Sequence, residues 1–330
     1  WLDDACRSGR IVWTRLGAPP RAAGGPVRGT PLVLLPRRQA SLWHALPAAA
    51  EVDVSPRAAR VVEALRAQGA LFFEELAQDA RLLPVELEAV LGELVATGLV
   101  NADSFNGLRA MLQPRAQRAR MDRYRHRGAG PSMEEAGRWA LVRRRDDAGV
   151  VAADHAALDN GPVAPVPARA VPGRKPRIAP QTLEHVAMTL LRRYGVMFWR
   201  LLEREASWLP SWRELLPVYH RLEARGEIRG GRFVAGLSGE QFALPEAIPL
   251  LRQMRRRPAE DELVRLSAVD PLNLCGTVLE GDKVPALAGN RLLLCDGVLV
   301  AAQVAGKLVC QGEPDAALRE RYRLRLAAPG

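Results

Sequence analysis

A pattern of three short helices followed by a pair of strands limits the fold of this chain more than any other feature of its sequence. In residues 56–69, 71–82 and 84–98, apolar side chains recur every three or four positions, which is the spacing of helices with one buried face. Residues 99–105 then read as a strand or turn, and residues 137–144 supply a returning strand. Three helices followed by a two-stranded hairpin, the wing, predict a winged helix, which is a variant of the helix-turn-helix.

The same order of elements returns in the second half of the chain. Residues 183–195, 196–205 and 211–226 are predicted to form three helices. Ser211 and Glu214 have the spacing of a capping box, in which each side chain accepts a hydrogen bond from a backbone N–H, and they fix the start of the third helix. One type of small domain is therefore expected twice.

A glycine-rich hairpin follows the second set of helices. Gly226 is expected to end the third helix, and Gly230 with Gly231 fits a two-residue hairpin turn. Arg229 and Arg232 flank that turn, so both side chains are expected at the tip of the wing.

The remaining segments complete an α+β organisation of tandem winged helices followed by a small antiparallel β-rich, barrel-like domain. Residues 1–54 read as the C-terminal half of a winged helix plus a connecting strand and helix, and residues 55–145 as a winged helix with a long basic wing. Residues 146–180 are a linker rich in proline and alanine, and residues 181–257 are the second complete winged helix. Residues 258–330 contain short β-rich runs between Asp-Pro, Gly-Asn and Asp-Gly turns and end in a short helix or tail.

The charge of the chain favours a polyanionic partner. A net charge of +10 and an isoelectric point near 10.2 suit nucleic acid or an anionic membrane surface. Because almost all of the cations are arginines and alanine is abundant, GC-rich coding sequence is an alternative source of the charge. No apolar run reaches the ~20 residues of a membrane span, so no membrane partner is expected.

The cysteines indicate the cellular compartment of the protein, and the first residues indicate whether the sequence is part of a longer chain. The four cysteines form no CxxC pair, which predicts reduced thiols and suits the cytoplasm. The sequence opens on Trp1 instead of methionine, so we expect a fragment of a longer protein.

The candidate DNA-binding residues are arginines of the two wings and basic residues on the third helix of the second winged helix. Arginines at these places can contact phosphates, although an arginine-rich wing tip that serves solubility alone is the alternative. On the third helix of the first winged helix, Glu86, Glu88 and Glu93 are expected to face outward. Acidic groups repel a phosphate backbone, so we expect this third helix to pack on protein. The candidates are Arg115, Arg118, Arg120, Arg123, Arg125 and Arg127 in the long wing, Arg213, His220 and Arg221 on the helix, and Arg229 and Arg232 in the hairpin.

Aromatic residues of the second winged helix allow two interpretations. Trp199, Trp208, Trp212 and Tyr219 can offer base-stacking surfaces, or they can pack in the core, and their helical spacing favours the core.

Catalytic motifs are scarce. No GxxxxGK[ST], GxGxxG, GxSxG or HExxH sequence is present, so ATP hydrolysis, triad chemistry and a zinc-peptidase site have no support in this chain. Asp270 and Asp296 are the candidates for activating a water in base excision. Both lie in Asp-Pro or Asp-Gly pairs, which are ordinary turn formers.

Several segments resemble the Lhr-type proteins, the large helicase-related superfamily 2 helicases. LVNADSFNGLRAML (99–112) with GRWALV (137–142) is similar to one family segment, and residues 192–252 are similar to another. DPLNLCG (270–276) and NRLLLCDGVLV (290–300) resemble the C-terminal β-rich part of these proteins. The resemblance is collinear and covers most of the chain.

The resemblance implies the C-terminal part of a long bacterial helicase whose ATP- and Mg²⁺-dependent motor lies upstream. Lhr proteins are 3′-to-5′ DNA translocases linked to DNA repair, and their winged-helix arrays are implicated in oligomerisation. The arrays also resemble the AlkZ-type DNA glycosylases, and uracil-DNA glycosylase activity has been ascribed to an Lhr C-terminal region. The paired-glutamine motif of AlkZ-type enzymes is absent, because Gln113, Gln117, Gln241 and Gln253 are isolated.

The hypothesis from the sequence is a DNA-binding and oligomerisation or scaffold region of an ATP-dependent DNA-repair helicase. Its expected partners are single-stranded or duplex DNA bound with little sequence specificity, its own N-terminal helicase core, and further copies of itself. No cofactor is expected in this part of the protein. The alternatives are a DNA glycosylase for uracil or alkylated bases and a purely structural oligomerisation module.

Overall fold

The computed structural model describes residues 1–16, 32–46, 54–112, 133, 136–142 and 178–328. The chain divides into two compact units. The first contains Trp1–His185 with Trp208–Pro210, and the second contains Val186–Ser207 with Ser211–Gly330. The wing arginines from Arg115 to Arg127 and most of the predicted linker lie outside the described residues.

The first unit begins with a helix and a hairpin-like pair of strands. Helix α1 (Leu2–Arg7) leads into β1 (Ile11–Thr14), which pairs antiparallel with β2 (Val33–Pro36). A short 3₁₀ turn (Arg37–Gln39) and α2 (Ala40–His44) follow. The described part of residues 1–54 therefore contains a helix, a pair of strands and a second helix.

Three helices and a small sheet form the next part of this unit. Helices α3 (Pro56–Gln68), α4 (Phe73–Asp79) and α5 (Pro84–Ala96) bury their apolar faces in one core. Strand β3 (Val100–Ala102) pairs antiparallel with β4 (Trp139–Leu141). Between them lies α6 (Asn106–Leu112), a helix that the sequence pattern did not predict.

The second winged-helix pattern forms helices around a three-stranded sheet. In chain order these elements are α7 (Pro180–Tyr194), β5 (Val196–Met197), α8 (Trp199–Leu202), α9 (Trp212–Ala224), β6 (Arg229–Gly231) and β7 (Gln241–Ala243). The strand order is β5-β7-β6, and both pairings are antiparallel.

The prediction of a helix over 196–205 was wrong at its start. Gly195 has a positive φ of 73° and ends α7, and the next two residues pair with β7 as a strand. The buried Val-Met-Phe run gains more from sheet pairing and burial than from a helical turn, because β-branched and aromatic side chains suit a strand. Only residues 199–202 of the predicted helix are helical.

The predicted turn at Gly230 and Gly231 was also wrong. Both glycines lie inside β6 and pair with Phe242 and Gln241, so the wing loop is the longer segment 232–240. Gly230 is needed for a close approach instead of a turn: its N–H donates to Glu223 Oε1 at 2.9 Å, and a Cβ added there would lie 2.5 Å from that oxygen.

The last part of the second unit is a helix followed by an open sheet. Helix α10 (Ala247–Arg256) precedes β8 (Leu263–Ser267), β9 (Arg291–Cys295), β10 (Val298–Val304) and β11 (Lys307–Cys310), and α11 (Ala316–Ala327) comes last. The sheet has the order β11-β10-β9-β8 and is antiparallel. Its two outer strands do not pair, so the described strands make an open sheet instead of the expected barrel-like closure.

Each face of this sheet has its own apolar cluster. Leu293 of β9 packs with Tyr322 and Leu326 of α11, whereas its neighbour Leu292 packs with buried residues of the 268–288 segment. This alternation is the two-residue period of a strand covered on both faces. None of the described helices is long and apolar enough to cross a membrane.

Candidate nucleic-acid interface

The outer face of α9 presents three of the predicted DNA-binding residues. Leu215, Val218, Tyr219 and Leu222 point into the core, and the opposite face exposes Arg213, His220 and Arg221. Positions 220 and 221 follow position 213 by seven and eight residues, which is about two turns of a helix, so all three lie on the same side of α9.

The aromatic residues beneath α9 belong to the core. The ring of Tyr219 stacks on Phe242 with centroids 5.2 Å apart, and Trp212 lies 5.4 Å from Tyr219. Burial raises the pKa of Tyr219 well above its usual range. Trp212 and Tyr219 therefore pack α9 against the sheet, as their helical spacing predicted.

The wing loop is held at one end by the side chain of Gln241. This residue is only 1% exposed. Its Oε1 accepts hydrogen bonds from the backbone N–H groups of Phe233 (2.9 Å) and Val234 (2.8 Å), and its Nε2 donates to Val234 O at 2.9 Å. One amide thus satisfies three backbone groups of the loop, and an amide is suited to this because it both donates and accepts.

Two further contacts hold the other end of the wing loop. The indole Nε1 of Trp199 donates to Ser238 O at 3.1 Å, and the Cβ position of Gly239 lies 3.3 Å from the same ring. His220 Nε2 lies 2.6 Å from Glu240 Oε2. The wing is therefore fixed to both α8 and α9, which limits the freedom of the loop before any ligand binds.

The charged side chains of this face differ in whether they have acidic partners. His220 is paired with Glu240 of the wing loop, and its role in DNA binding stays a prediction. Arg229 Nη1 lies 3.4 Å from the carbonyl oxygens of Gly226 and Ile228. Within the part of the chain that the structure describes, Arg213, Arg221, Arg229 and Arg232 have no ion pair with a carboxylate.

Charge is divided unevenly along the second half of the chain. Residues 178–257 contain thirteen arginines, eight glutamates and neither lysine nor aspartate, a formal charge of +5. Residues 258–330 contain eight basic and ten acidic residues, a formal charge of −2. An anionic ligand is therefore attracted to the winged helix more than to the β-rich segment.

The equivalent helix of the first unit has a different surface. Glu93 accepts hydrogen bonds from both the N–H and the hydroxyl of Ser55, at 2.7 and 2.8 Å. Glu86 accepts from Leu83 N and pairs with Arg57 at 3.1 Å. Glu86 and Glu93 of α5 thus bond within their own domain, and the expectation that this helix packs on protein stays a prediction.

The two catalytic candidates accept hydrogen bonds from nearby backbone groups. Asp270 Oδ1 accepts from Leu272 N at 2.9 Å, which is an Asx turn. Asp296 accepts from the N–H groups of residues 260, 261 and 262 at 3.0–3.2 Å. With φ of 48° at Asp296 and 84° at Gly297, it also forms the hairpin turn between β9 and β10. These bonds account for both residue types, and a catalytic role remains a prediction.

Asp261, Cys295 and Asp296 come within 4.8 Å of one another through potential metal-ligand atoms. Both oxygens of Asp296 already accept backbone N–H groups. Burial, with smaller contributions from Asp296 and Asp261, raises the pKa of the Cys295 thiol, which opposes formation of the thiolate that metals prefer. The arrangement is explained by the turn before β8.

Sequence reasoning missed the residues that order the wing. Gln241 is the first residue of an otherwise apolar strand, and a lone glutamine there carries no signal of burial. Trp199 was assigned to the core or to base stacking, whereas it is partly exposed and hydrogen-bonded to the wing loop.

Helix α9, the wing and the three-stranded sheet define the second unit's helical domain as a winged helix. Residues 177–263 match the family model described as "Large helicase-related protein, winged-helix domain". Over 91% of its length the chain is 27% identical to a protein of Mycolicibacterium smegmatis (strain ATCC 700084 / mc(2)155) described as "Lhr helicase/ probable uracil glycosylase". The chain spans 19% of the length of that relative. The resemblance seen in the sequence is confirmed: residues 177–263 are an Lhr-type winged-helix domain, and most of the chain is a distant homologue of an Lhr protein.

Proposed function

We propose that the chain binds DNA through its second winged helix and serves as a DNA-binding and scaffold or oligomerisation region of an ATP-dependent DNA-repair helicase. The observation that carries the proposal is the set of arginines without acidic partners on α9 and the wing, at 213, 221, 229 and 232. A guanidinium group that has no carboxylate partner is available to a phosphate, and it gains a charge-assisted hydrogen bond there.

Contacts to the DNA backbone fit this surface better than base readout. Phosphate contacts fix the position of a protein on DNA without reading its sequence. The exposed α9 face lacks asparagine and glutamine, the side chains that pair with adenine, and Glu214 and Glu223 limit how closely α9 approaches phosphates. We therefore expect weak sequence preference on either single-stranded or duplex DNA.

The proposal extends to the parent protein by homology. The Mycolicibacterium relative is named a helicase, and the chain corresponds to a fifth or less of it. ATP and Mg²⁺ would act in motor domains outside this chain, which would be its partners within the same protein.

The test is DNA affinity measured by fluorescence anisotropy over a range of salt concentrations. Arg229→Glu with Arg232→Glu is expected to weaken binding about tenfold or more, and to reduce the slope of log K against log[salt] by about 2 on duplex DNA, since each phosphate contact contributes about 0.9. Lys307→Glu with Arg319→Glu makes the same change of charge in the β-rich segment and is the matched control. Equal weakening by both pairs would mean that only total charge matters and would refute the placement of the site.

A second candidate function is base excision, favoured by the words "probable uracil glycosylase" in the relative's name. The chain would be incubated with oligonucleotides that contain uracil or alkylated bases, and abasic sites would be cleaved and counted. Absence of abasic product with every lesion would reject this candidate without affecting the DNA-binding proposal.

A further inference from the structure

Trp199 of α8 keeps part of its indole ring on the surface of the second winged helix. The chain has seven tryptophans, and apart from Trp1 at its first position only Trp199 is exposed, at 36%. Trp13 and Trp139, in contrast, lie in the core of the first unit. Because tryptophan is highly buried on average, an exposed indole inside a folded domain calls for an explanation of its own.

The wing loop holds this ring in one orientation. Its Nε1 donates to Ser238 O at 3.1 Å. Gly239 has a φ of 87°, and a Cβ added there would lie 3.3 Å from Cδ1 of the ring, so the loop approaches the indole closely because position 239 has no side chain. The hydrogen bond uses the in-plane N–H, which leaves the π-faces of the ring to other partners. The indole is therefore ordered before any ligand binds, which lowers the entropic cost of binding.

The wing-loop segment 238–240 connects Trp199 to the exposed face of α9. Trp199 contacts the first two residues of this segment, and the third, Glu240, pairs with His220 of α9. Arg200, the next residue of α8, is exposed and forms no ion pair with another described residue. A ligand held by the arginines of this face would therefore lie beside the indole.

We propose that Trp199 stacks on an unpaired base of single-stranded DNA bound at this face. A nucleotide combines a planar π-system with a phosphate, and the face offers an indole ring beside guanidinium groups. In a duplex each base is covered by its neighbours in the stack, so the ring can reach only a base that is unpaired or at an end. Every base has a π-face, so stacking adds affinity without reading sequence. The inference rests on the proposed DNA-binding function and names the form of DNA that the site takes.

The test compares two strands of equal length and equal charge by fluorescence anisotropy with the 330-residue chain. One strand is oligothymidylate, and the other consists of abasic spacers, which keep the phosphates and lack the bases. The unaltered chain is expected to bind oligothymidylate about 5- to 100-fold more tightly than the abasic strand, which is the size of a base–aromatic stacking contribution.

Variants of Trp199 separate stacking from the hydrogen bond that the ring donates to the wing. Trp199→Leu removes both, so the affinities for the two strands should come within about twofold of each other, and the affinity for a blunt duplex should stay unchanged. Trp199→Phe removes the donor but keeps a π-face, so a preference for oligothymidylate of about threefold or more should remain. Trp1→Leu removes the other exposed indole and is the matched control, which should keep the full preference.

Three results would overturn the proposal: equal binding of both strands by the unaltered chain, a preference that survives in Trp199→Leu, or its complete loss in Trp199→Phe. The last result would mean that Trp199 acts only through its hydrogen bond to the wing loop. Arg229→Glu with Arg232→Glu keeps the two proposals separate, because it should weaken the binding of both strands alike and leave the ratio of their affinities unchanged. No effect of this pair would refute the placement of the phosphate contacts, whereas the ratio tests Trp199.

Discussion

Replacing Gln241 by methionine should release the wing loop while leaving the winged-helix core intact. Methionine has a similar volume, but it cannot replace the two bonds accepted from Phe233 and Val234 or the one donated to Val234 O. Each hydrogen bond contributes about 0.5–1.5 kcal/mol net. Because the loop is partly exposed and water can replace some of these partners, we expect the free energy of loop opening to fall by about 2–3 kcal/mol, below the upper sum of the three bonds.

Amide hydrogen exchange measures this change directly. A loss of about 2–3 kcal/mol corresponds to roughly 30- to 150-fold faster exchange at the amides of Phe233 and Val234, at about 1.4 kcal/mol per tenfold. Amides of α9, such as Val218 and Leu222, should keep their protection. Gln253→Met, at an exposed position of α10, is the control. Unchanged exchange at residues 233 and 234 would refute the reasoning, because Gln241 would then not hold the loop.

Three further outcomes follow from other contacts. Gly230→Ala should lower the free energy of unfolding by about 1–3 kcal/mol in urea denaturation, because its Cβ would meet Glu223 Oε1, and Glu223→Ala should relieve part of that loss in the double variant. Asp296→Asn should lower the free energy of unfolding by about 1–2 kcal/mol in the same assay, because an amide has one oxygen and cannot replace both carboxylate oxygens that accept the three backbone N–H groups. Asp282→Asn, at an exposed aspartate in the preceding segment, is the control and should change the free energy of unfolding little. Burial and a hydrogen bond to Glu205 raise the pKa of Tyr194 to about 12. The folded state then holds this proton more tightly than the unfolded state, so stability is full below about pH 10 and falls as the pH rises toward 12, and Tyr194→Phe should reduce that fall.

Each of these outcomes has a contrary result. If Gly230→Ala left the free energy of unfolding unchanged, β6 would be able to move away from α9. Equal costs for Asp296→Asn and Asp282→Asn would remove the structural explanation for Asp296 and strengthen its catalytic candidacy. A fall above about pH 10 that Tyr194→Phe does not change would assign the alkaline loss to other groups, such as the buried Tyr219.

The sequence predicted those elements whose signal is local and repeated. The core faces of α5 and α9 follow from apolar residues at helical spacing. The start of α9 follows from Ser211 and Glu214, where the Glu214 carboxylate accepts a hydrogen bond from Ser211 N at 2.8 Å. Strand β5 was missed because two residues are too few for a period. The role of Gly230 was missed because it depends on Glu223, a residue seven positions away whose side chain reaches the strand only after folding.

The candidate interface was predicted as a set of arginines but not as a surface. The positions of Arg213 and Arg221 followed from helical periodicity, and their exposure agrees with it. The pairing of His220 with Glu240 was not predictable, since it requires the path of the wing loop. His220 therefore contacts the wing loop, and its role in DNA binding stays a prediction.

The two sets of helices show why the fold alone does not assign the function. The third helix of each has the same place in the order of elements, yet its charged residues have different partners. Glu93 and Glu86 of α5 are bonded to Ser55, Leu83 and Arg57 of their own unit, so that polar face stabilises the domain. The arginines of α9 have no carboxylate partner among the described residues, and the wing beside them is held by Gln241 and Trp199 instead of by arginine. Apart from the two 3.4 Å contacts of Arg229 with the carbonyl oxygens of Gly226 and Ile228, the described hydrogen bonds of this wing do not use its arginines. Those guanidinium groups therefore remain for an external anion.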